Sequence, residues 1–336
     1  MMGRGLHLIT DERLRHLLTA AENRGEALVA LDPSTRSALE RRRGLGVSRI
    51  APRVYARTDY WESLSPRARG VVMLRTLARK HPKWTFCAAS AALAWGLYVS
   101  HARLRVVYVV GARRRPSVRE GIMVVAHDAA LEEVRAGEVR SAHGLRTTRL
   151  LRTVLDAACA LPFPEALAVA DSAMRFYGVG REGLSAFVGE HGRGRHGASI
   201  ARRAVEHADP RSENGGESIV RGLMIELGFA VPELQVEIPD PLGGPTYRVD
   251  YLWRLNGGTR VIGELDGVAK LVPDARTSPE ATARRIRNER TREARLTVGG
   301  TSVMRIPSSV IGSPRELERI LEAYSIPRTH PRCRHA

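Results

Sequence analysis

Two short β-rich runs around a Gly-rich turn constrain this chain more than any other stretch. They are Arg248-Val249-Asp250-Tyr251-Leu252-Trp253, then Asn256-Gly257-Gly258, then Val261-Ile262-Gly263-Glu264-Leu265-Asp266-Gly267. Such a pattern predicts a β-hairpin. A register centred on Gly257 sets Asp250 opposite Glu264, since both lie equally far from it along the chain. Facing residues on paired strands bring their Cβ atoms to roughly 5 Å. Glu264 and Asp266 share a face, because side chains alternate along a strand. Three carboxylates then converge between apolar residues, and Lys270 follows close behind. Hard divalent cations such as Mg²⁺ take oxygen ligands of this kind. A solvated hairpin would instead pair its acids with arginines, but these acids interrupt otherwise apolar strands, where a charge needs a partner or a metal.

An acid on one strand followed by an acid pair on the next resembles the PD-(D/E)xK restriction-endonuclease-like superfamily. The text RVDYLW…VIGELDG is similar to its very-short-patch-repair-like endonuclease domains. Glu217-Ser218 with Arg221 resembles the family's leading helix, "ES-x-x-R", and RTREARL (residues 290–296) resembles its helix after the core strands. The resemblance covers roughly residues 213–310. It implies a mixed sheet flanked by helices. It also implies Mg²⁺ or Mn²⁺ held by Asp250, Glu264 and Glu217, and hydrolysis of DNA phosphodiesters. One position departs from the pattern: the usual E-x-K lysine is replaced by Asp266. Lys270 would then supply the positive charge, and Asp266 would be a further ligand or its partner.

The chain has 336 residues, enough for two or three domains, and Lys+Arg outnumber Asp+Glu by 53 to 36, a formal net charge of +17. That excess predicts a polyanionic partner, nucleic acid before membrane. Aromatics make up only 5%, which argues against single-strand binding by base stacking. Cys87, Cys159 and Cys333 are odd in number and far apart, so neither a disulfide framework nor a metal spacing follows. A reducing cytoplasm is the expected setting. The N-terminus has no continuous apolar stretch of signal-peptide type. The apolar run at residues 86–99 is too short to span a bilayer, so no membrane partner is expected.

Residues 10–23 predict a helix capped by Thr10 or Asp11, and Asp32-Pro33-Ser34 opens a second that runs into Arg41-Arg42-Arg43. Residues 47–57 read as two short strands around Pro52. Helix, helix and hairpin are the parts of a winged helix, with Arg41, Arg42, Arg43 and Arg49 as DNA contacts. Residues 85–97 predict a helix, 104–110 and 122–126 strands, and 150–160 and 165–176 helices. CAASAALAWGL, GLRTTRLLRTVLDAA and the helix holding Asp171-Ser172-Ala173 resemble the abortive-infection type IV antitoxin family, over roughly residues 1–177. That resemblance implies a winged helix joined to a small α/β domain in a repressor of its own operon. Asp156 reads as the ion-pair partner of Arg152, four residues earlier.

Residues 178–212 are Gly- and Arg-rich and read as a hinge. Gly178-x-Gly180-x-x-Gly183 follows a helix rather than a strand, so it is not a dinucleotide fingerprint. His191 and His196 have no companion ligand. Residues 281–296 predict a helix with six arginines, among them Arg284, Arg287 and Arg290, suited to a phosphate backbone.

The expected organisation is thus an α/β multidomain chain. It comprises a winged helix (1–60), an antitoxin-like α/β domain (61–177), a hinge with one helix (178–212), an endonuclease-like domain (213–312), and a terminal helix with a basic tail (313–336). The expected function is a DNA-binding protein with a metal-dependent endonuclease-like domain, in a defence or toxin–antitoxin setting. The alternatives are a non-catalytic repressor with a degenerate nuclease domain, and an antitoxin whose basic surface faces an acidic toxin.

Overall fold

Helices begin where polar side chains can take up their first free N–H groups. Thr10 accepts from Arg13 N at 3.3 Å and opens α1 (Asp11–Asn23); Asp32 accepts from Thr35 N at 2.7 Å and opens α2 (Pro33–Arg41). The computed structural model describes residues 10–111, 117–119, 122–125, 134–135, 137, 140–142, 144–266, 279–298 and 300–329. Lys270, Cys333 and most of the basic tail lie outside these residues. The fold is mixed α/β, and the chain divides into two compact units, 1–160 and 161–336.

In the first unit, β1 (Leu28–Val29), β2 (Val47–Ala51) and β3 (Val54–Arg57) form a three-stranded sheet in the order β1-β3-β2. Leu14 and Leu18 of α1, Ala38 and Leu39 of α2, and Val47 and Tyr55 of the sheet make one core cluster. The expected helices and hairpin are present, with a third strand added. A short helix α3 (Thr58–Ser63) and then α4 (Pro66–Lys80) follow; α4 is capped by Ser65 and carries Pro at its first position.

The helix expected over 85–97 is shorter, α5 (Ala88–Ala94). Phe86 is held in the ladder instead: its N–H donates to Arg146 O at 2.9 Å and its carbonyl accepts from Thr148 N at 3.0 Å. Likewise the strand expected over 104–110 is confined to β4 (Val107–Val110), because His101–Arg105 forms a 3-10 turn. β4 pairs in parallel with β6 (Ile122–Val125), which pairs antiparallel with β5 (Ser117–Arg119). A hairpin of β7 (Arg140–Ala142) and β8 (Leu145–Thr147) leads into α6 (Leu150–Ala160), where Arg152 and Asp156 form the expected pair at 3.6 Å.

The second unit begins with α7 (Phe163–Tyr177), not after it as expected from the Gly-rich stretch. α7 is buried from Ala166 through Ala173. It packs on α10 (Gly215–Glu226), so closely that a Cβ at Gly222 would lie 2.6 Å from Pro164 Cα. Asp171 of α7 and Arg221 of α10 join at 2.7 Å with both side chains buried. Residues 178–212 are therefore no extended hinge: they fold as α8 (Arg181–His191) and α9 (Ala198–Glu206), and α9 packs on α7 and α8.

After α10 come β9 (Glu233–Ile238), β10 (Tyr247–Arg254) and β11 (Arg260–Asp266), an antiparallel meander, then α11 (Pro279–Leu296) and β12 (Thr301–Pro307). β12 lies parallel to β11, giving a mixed sheet in the order β12-β11-β10-β9. Helix α12 (Pro314–Ala323) follows, burying Leu317 and Leu321.

Candidate functional site

The β10–β11 hairpin has the register expected from its sequence. Tyr251 pairs with Gly263, Leu252 with Ile262 and Trp253 with Val261, all centred on residue 257. Gly257 and Gly258 turn with φ of 80° and 83°, a region that glycine enters without strain. Carried one residue further, the same register sets Asp250 opposite Glu264. On its other side Asp250 falls between the pairs Val249↔Val236 and Tyr251↔Leu234, and so faces Gln235. Glu264 is paired with Arg305 of β12. By this register Gln235, Asp250, Glu264 and Arg305 form one polar row, of which the Glu264–Arg305 link is a formed strand pair.

Each member of the row is held by specific partners. Asp250 accepts from the backbone N–H of Leu265 at 2.9 Å. Glu264 is 6% exposed and accepts from Arg292 Nη2 at 2.7 Å; the same nitrogen donates to Arg248 O at 3.0 Å. Burial pushes the Glu264 carboxyl up, the charge of Asp250 adds to this, and Arg292 opposes it. Gln235 sits in a strand at φ 51°, a conformation uncommon for a residue with a side chain. Its amide donates to Glu217 Oε2 at 3.1 Å.

Glu217 is placed by its position in the first turn of α10. It accepts from Glu213 N at 2.7 Å and from Asn214 Nδ2 at 2.5 Å, while its own N–H donates to Asn214 Oδ1 at 3.1 Å. This reciprocal arrangement is a close variant of a capping box. Tyr251 fixes that turn on the sheet by donating its hydroxyl to Glu217 O at 2.8 Å. Burial raises the Glu217 carboxyl to about 7; the Glu213 N–H opposes this, and the Asp250 charge reinforces it. The charge of Asp250 thus acts on both Glu217 and Glu264.

The expected three-carboxylate set is only partly assembled. Glu217 spends its oxygens on three donors, and among the described residues no group of three or more His, Cys, Asp or Glu is placed to hold a metal. Asp250 and Glu264 remain as a pair of oxygen donors. Mg²⁺ is commonly held by one or two carboxylates with water and substrate phosphate, so this pair fits it. Asp266 meets Arg305 at 3.4 Å, and Arg305 also reaches Glu293 at 3.1 Å; the expected partner, Lys270, lies outside the described residues.

Beside the row lies a cleft of about 560 Å³ lined by Tyr247, Arg284, Asn288, Thr291, Arg292 and Arg295. The α11 residues lining it recur at helical spacing on one face. Of the three arginines singled out on this helix, the cleft takes Arg284; Arg287 and Arg290 are exposed but do not line it. Arg295 is anchored to Asp240 at 2.5 Å. Gln235, Arg292 and Arg305 were not anticipated as site residues. The signal for Arg292 lay in the RTREARL stretch itself; Gln235 and Arg305 carry no local signal.

In the first unit, α2 ends at Arg41. Arg41 and Arg43 are exposed, as DNA contacts must be. Arg42 is instead a structural residue, donating to Ala38 O at 2.9 Å and ion-paired with Asp11. Arg49 stands 3.6 Å from Glu40, which also accepts from Tyr55 Oη at 2.6 Å.

Two uncharacterised proteins of Mycobacterium tuberculosis, Rv2248 and MT2308, are each 33% identical to this chain over 167 residues. The match takes in 50% of this chain and 58% of each relative, so the chain spans little more than half the length of these curated relatives. No family model and no solved structure matches.

Among the described residues, no helix is long and apolar enough to cross a membrane.

Proposed function

We propose that this chain is a DNA-binding protein whose second unit carries a metal-dependent, endonuclease-like centre acting on DNA phosphodiesters. One observation carries the reading: Asp250 is bonded to the backbone of Leu265, next to the buried Glu264, beside a cleft lined by three arginines. The half-buried Asp250 and the buried Glu264 adjoin guanidinium groups suited to phosphate. The mixed sheet with flanking helices is also what the endonuclease-like resemblance implies.

Asp250 and Glu264 would hold Mg²⁺ or Mn²⁺, which when bound supplies an activated water and neutralises phosphate charge. Arg284 and Arg295 hold the neighbouring phosphates. The Leu265 N–H fixes the orientation of Asp250. Glu217, raised to about 7, takes up or releases a proton near neutral pH, in the range useful for acid–base work. Lys270 would add positive charge at the phosphate. In the first unit, Arg41, Arg43 and Arg49 would contact DNA.

A second reading is a non-catalytic, antitoxin-like repressor, with DNA and a cognate toxin as partners. It is favoured by Arg292, which already neutralises Glu264 and competes with a cation for it, and by Asp266 in the place of the usual lysine. The test is incubation of supercoiled plasmid with Mg²⁺ or Mn²⁺, wild type beside Asp250→Ala. Nicking or linearisation by the wild type alone supports the enzyme. Retarded migration of a DNA fragment with no cleavage supports the repressor.

A further inference from the structure

The first unit contains a cavity of about 760 Å³ between the β2–β3 hairpin, α4 and the 3-10 turn His101–Arg105. It separates two apolar clusters. One is built around Val54 and Val72, the other around Leu77, Leu93 and Val107, and Met73 packs against both. Protein interiors are otherwise filled to the density of organic crystals. A space of this size with apolar walls is in the range of small-molecule pockets.

The polar groups at the cavity are of one sign. Arg69, Lys80 and His101 line it, and none of its described lining residues is acidic. Arg69 is positioned by neutral acceptors: its Nε donates to Trp61 O at 2.8 Å and its Nη2 to Glu62 O at 3.2 Å. Its guanidinium lies 5.6 Å from the centre of the Trp61 ring, and Trp61 is itself a wall of the cavity. These bonds hold the cation in place without cancelling its charge. Lys80 ends α4, and His101 is exposed at the mouth.

We infer that this cavity binds a small apolar anion, a hydrocarbon or aromatic body carrying one carboxylate, with the body against Met73, Leu77 and Trp61 and the carboxylate at Arg69. An apolar body gains by leaving water for these walls, and a carboxylate near an immobilised guanidinium gains a charge-assisted hydrogen bond. The site is separate from the sheet of the second unit and independent of its chemistry.

The test is isothermal titration calorimetry of the full chain with decanoate, decanol and decyltrimethylammonium, each below its micelle concentration. Decanoate should bind saturably, at least tenfold tighter than decanol, and the cationic amphiphile should not bind. Met73→Trp, which fills the cavity, should weaken decanoate at least tenfold. Arg69→Gln, which removes the cation and keeps amide donors, should weaken decanoate tenfold while leaving decanol unchanged. Equal binding of all three amphiphiles, no binding of decanoate, or decanoate affinity unmoved by Arg69→Gln overturns the proposal. So does unmoved affinity in a Met73→Trp protein with an unaltered melting profile.

Discussion

The carboxylate of Asp250 caps the backbone N–H of Leu265 at 2.9 Å, one position beyond the last backbone pair of the hairpin, Tyr251↔Gly263. A side chain here takes over a donor that a longer ladder would have used. The exchange fixes one carboxylate oxygen and leaves the other for a ligand, next to the buried Glu264. It also ties the geometry of the acid to the end of the paired strands.

A divalent cation should therefore stabilise the second unit through Asp250 and Glu264. Binding to the folded form alone contributes about 2.7 kcal/mol when the ion is at a hundred times its dissociation constant. Mn²⁺ should raise the melting temperature of the wild type, and Asp250→Asn should abolish most of that rise. An equal rise in the variant would remove Asp250 from the metal site.

Glu217 predicts a pH dependence of stability in metal-free buffer. Its folded carboxyl titrates at about 7 because burial disfavours the charge, against an ordinary value of 4.5. The folded chain therefore binds this proton more tightly than the unfolded chain does. Below about 4.5 both forms are protonated and nothing is lost; between about 4.5 and 7 stability falls as pH rises; above 7 the loss is complete, at most about 3 kcal/mol. Urea titrations should show this decline in the wild type and a flatter profile for Glu217→Gln. Parallel profiles for the two proteins would contradict the assignment.

The Asp171–Arg221 pair predicts a large structural cost with no bearing on chemistry. Arg221→Ala leaves Asp171 buried without its cation, and breaking such a pair typically costs about 3–5 kcal/mol. Chemical denaturation of residues 161–336 or of the whole chain should reveal it. A loss below about 1 kcal/mol would mean that Asp209 N–H and water suffice for Asp171.

Gly222 should tolerate no side chain. A Cβ there would sit 2.6 Å from Pro164 Cα, a backbone atom that cannot swing aside. Gly222→Ala should destabilise by about 1–3 kcal/mol despite the better helix propensity of alanine. A stabilised variant, read from its melting curve, would show that α7 and α10 are farther apart.

DNA affinity should fall steeply with salt, with a log–log slope of roughly −5 if about six phosphates are neutralised. Arg41→Ala with Arg43→Ala should weaken binding at unchanged stability. Arg42→Ala should instead lower stability, because that side chain is spent on Ala38 and Asp11. A flat salt response would remove nucleic acid as the partner.

Local sequence determined much of this protein. Thr10, Asp32 and the Pro33 start position fix helix ends because caps act within three or four residues. The β10–β11 register was legible for the same reason: a two-glycine turn and the period of a strand decide it, and both lie within the hairpin. Tertiary structure alone decided what surrounds Asp250 and Glu264. Gln235 arrives on a separate strand in a backbone conformation no propensity predicts, and Arg305 arrives after a helical crossover. Arg292 reaches Glu264 only because α11 packs over the sheet. The division of the chain belongs to the same class. The Gly-rich stretch after Tyr177 looks like a boundary, yet the α7–α10 contact around Asp171, Arg221 and Gly222 carries α7 into the second unit. Burial against a partner more than forty residues away overrides a local break, because the free energy of covering an apolar helix face exceeds the small conformational preference of a few glycines.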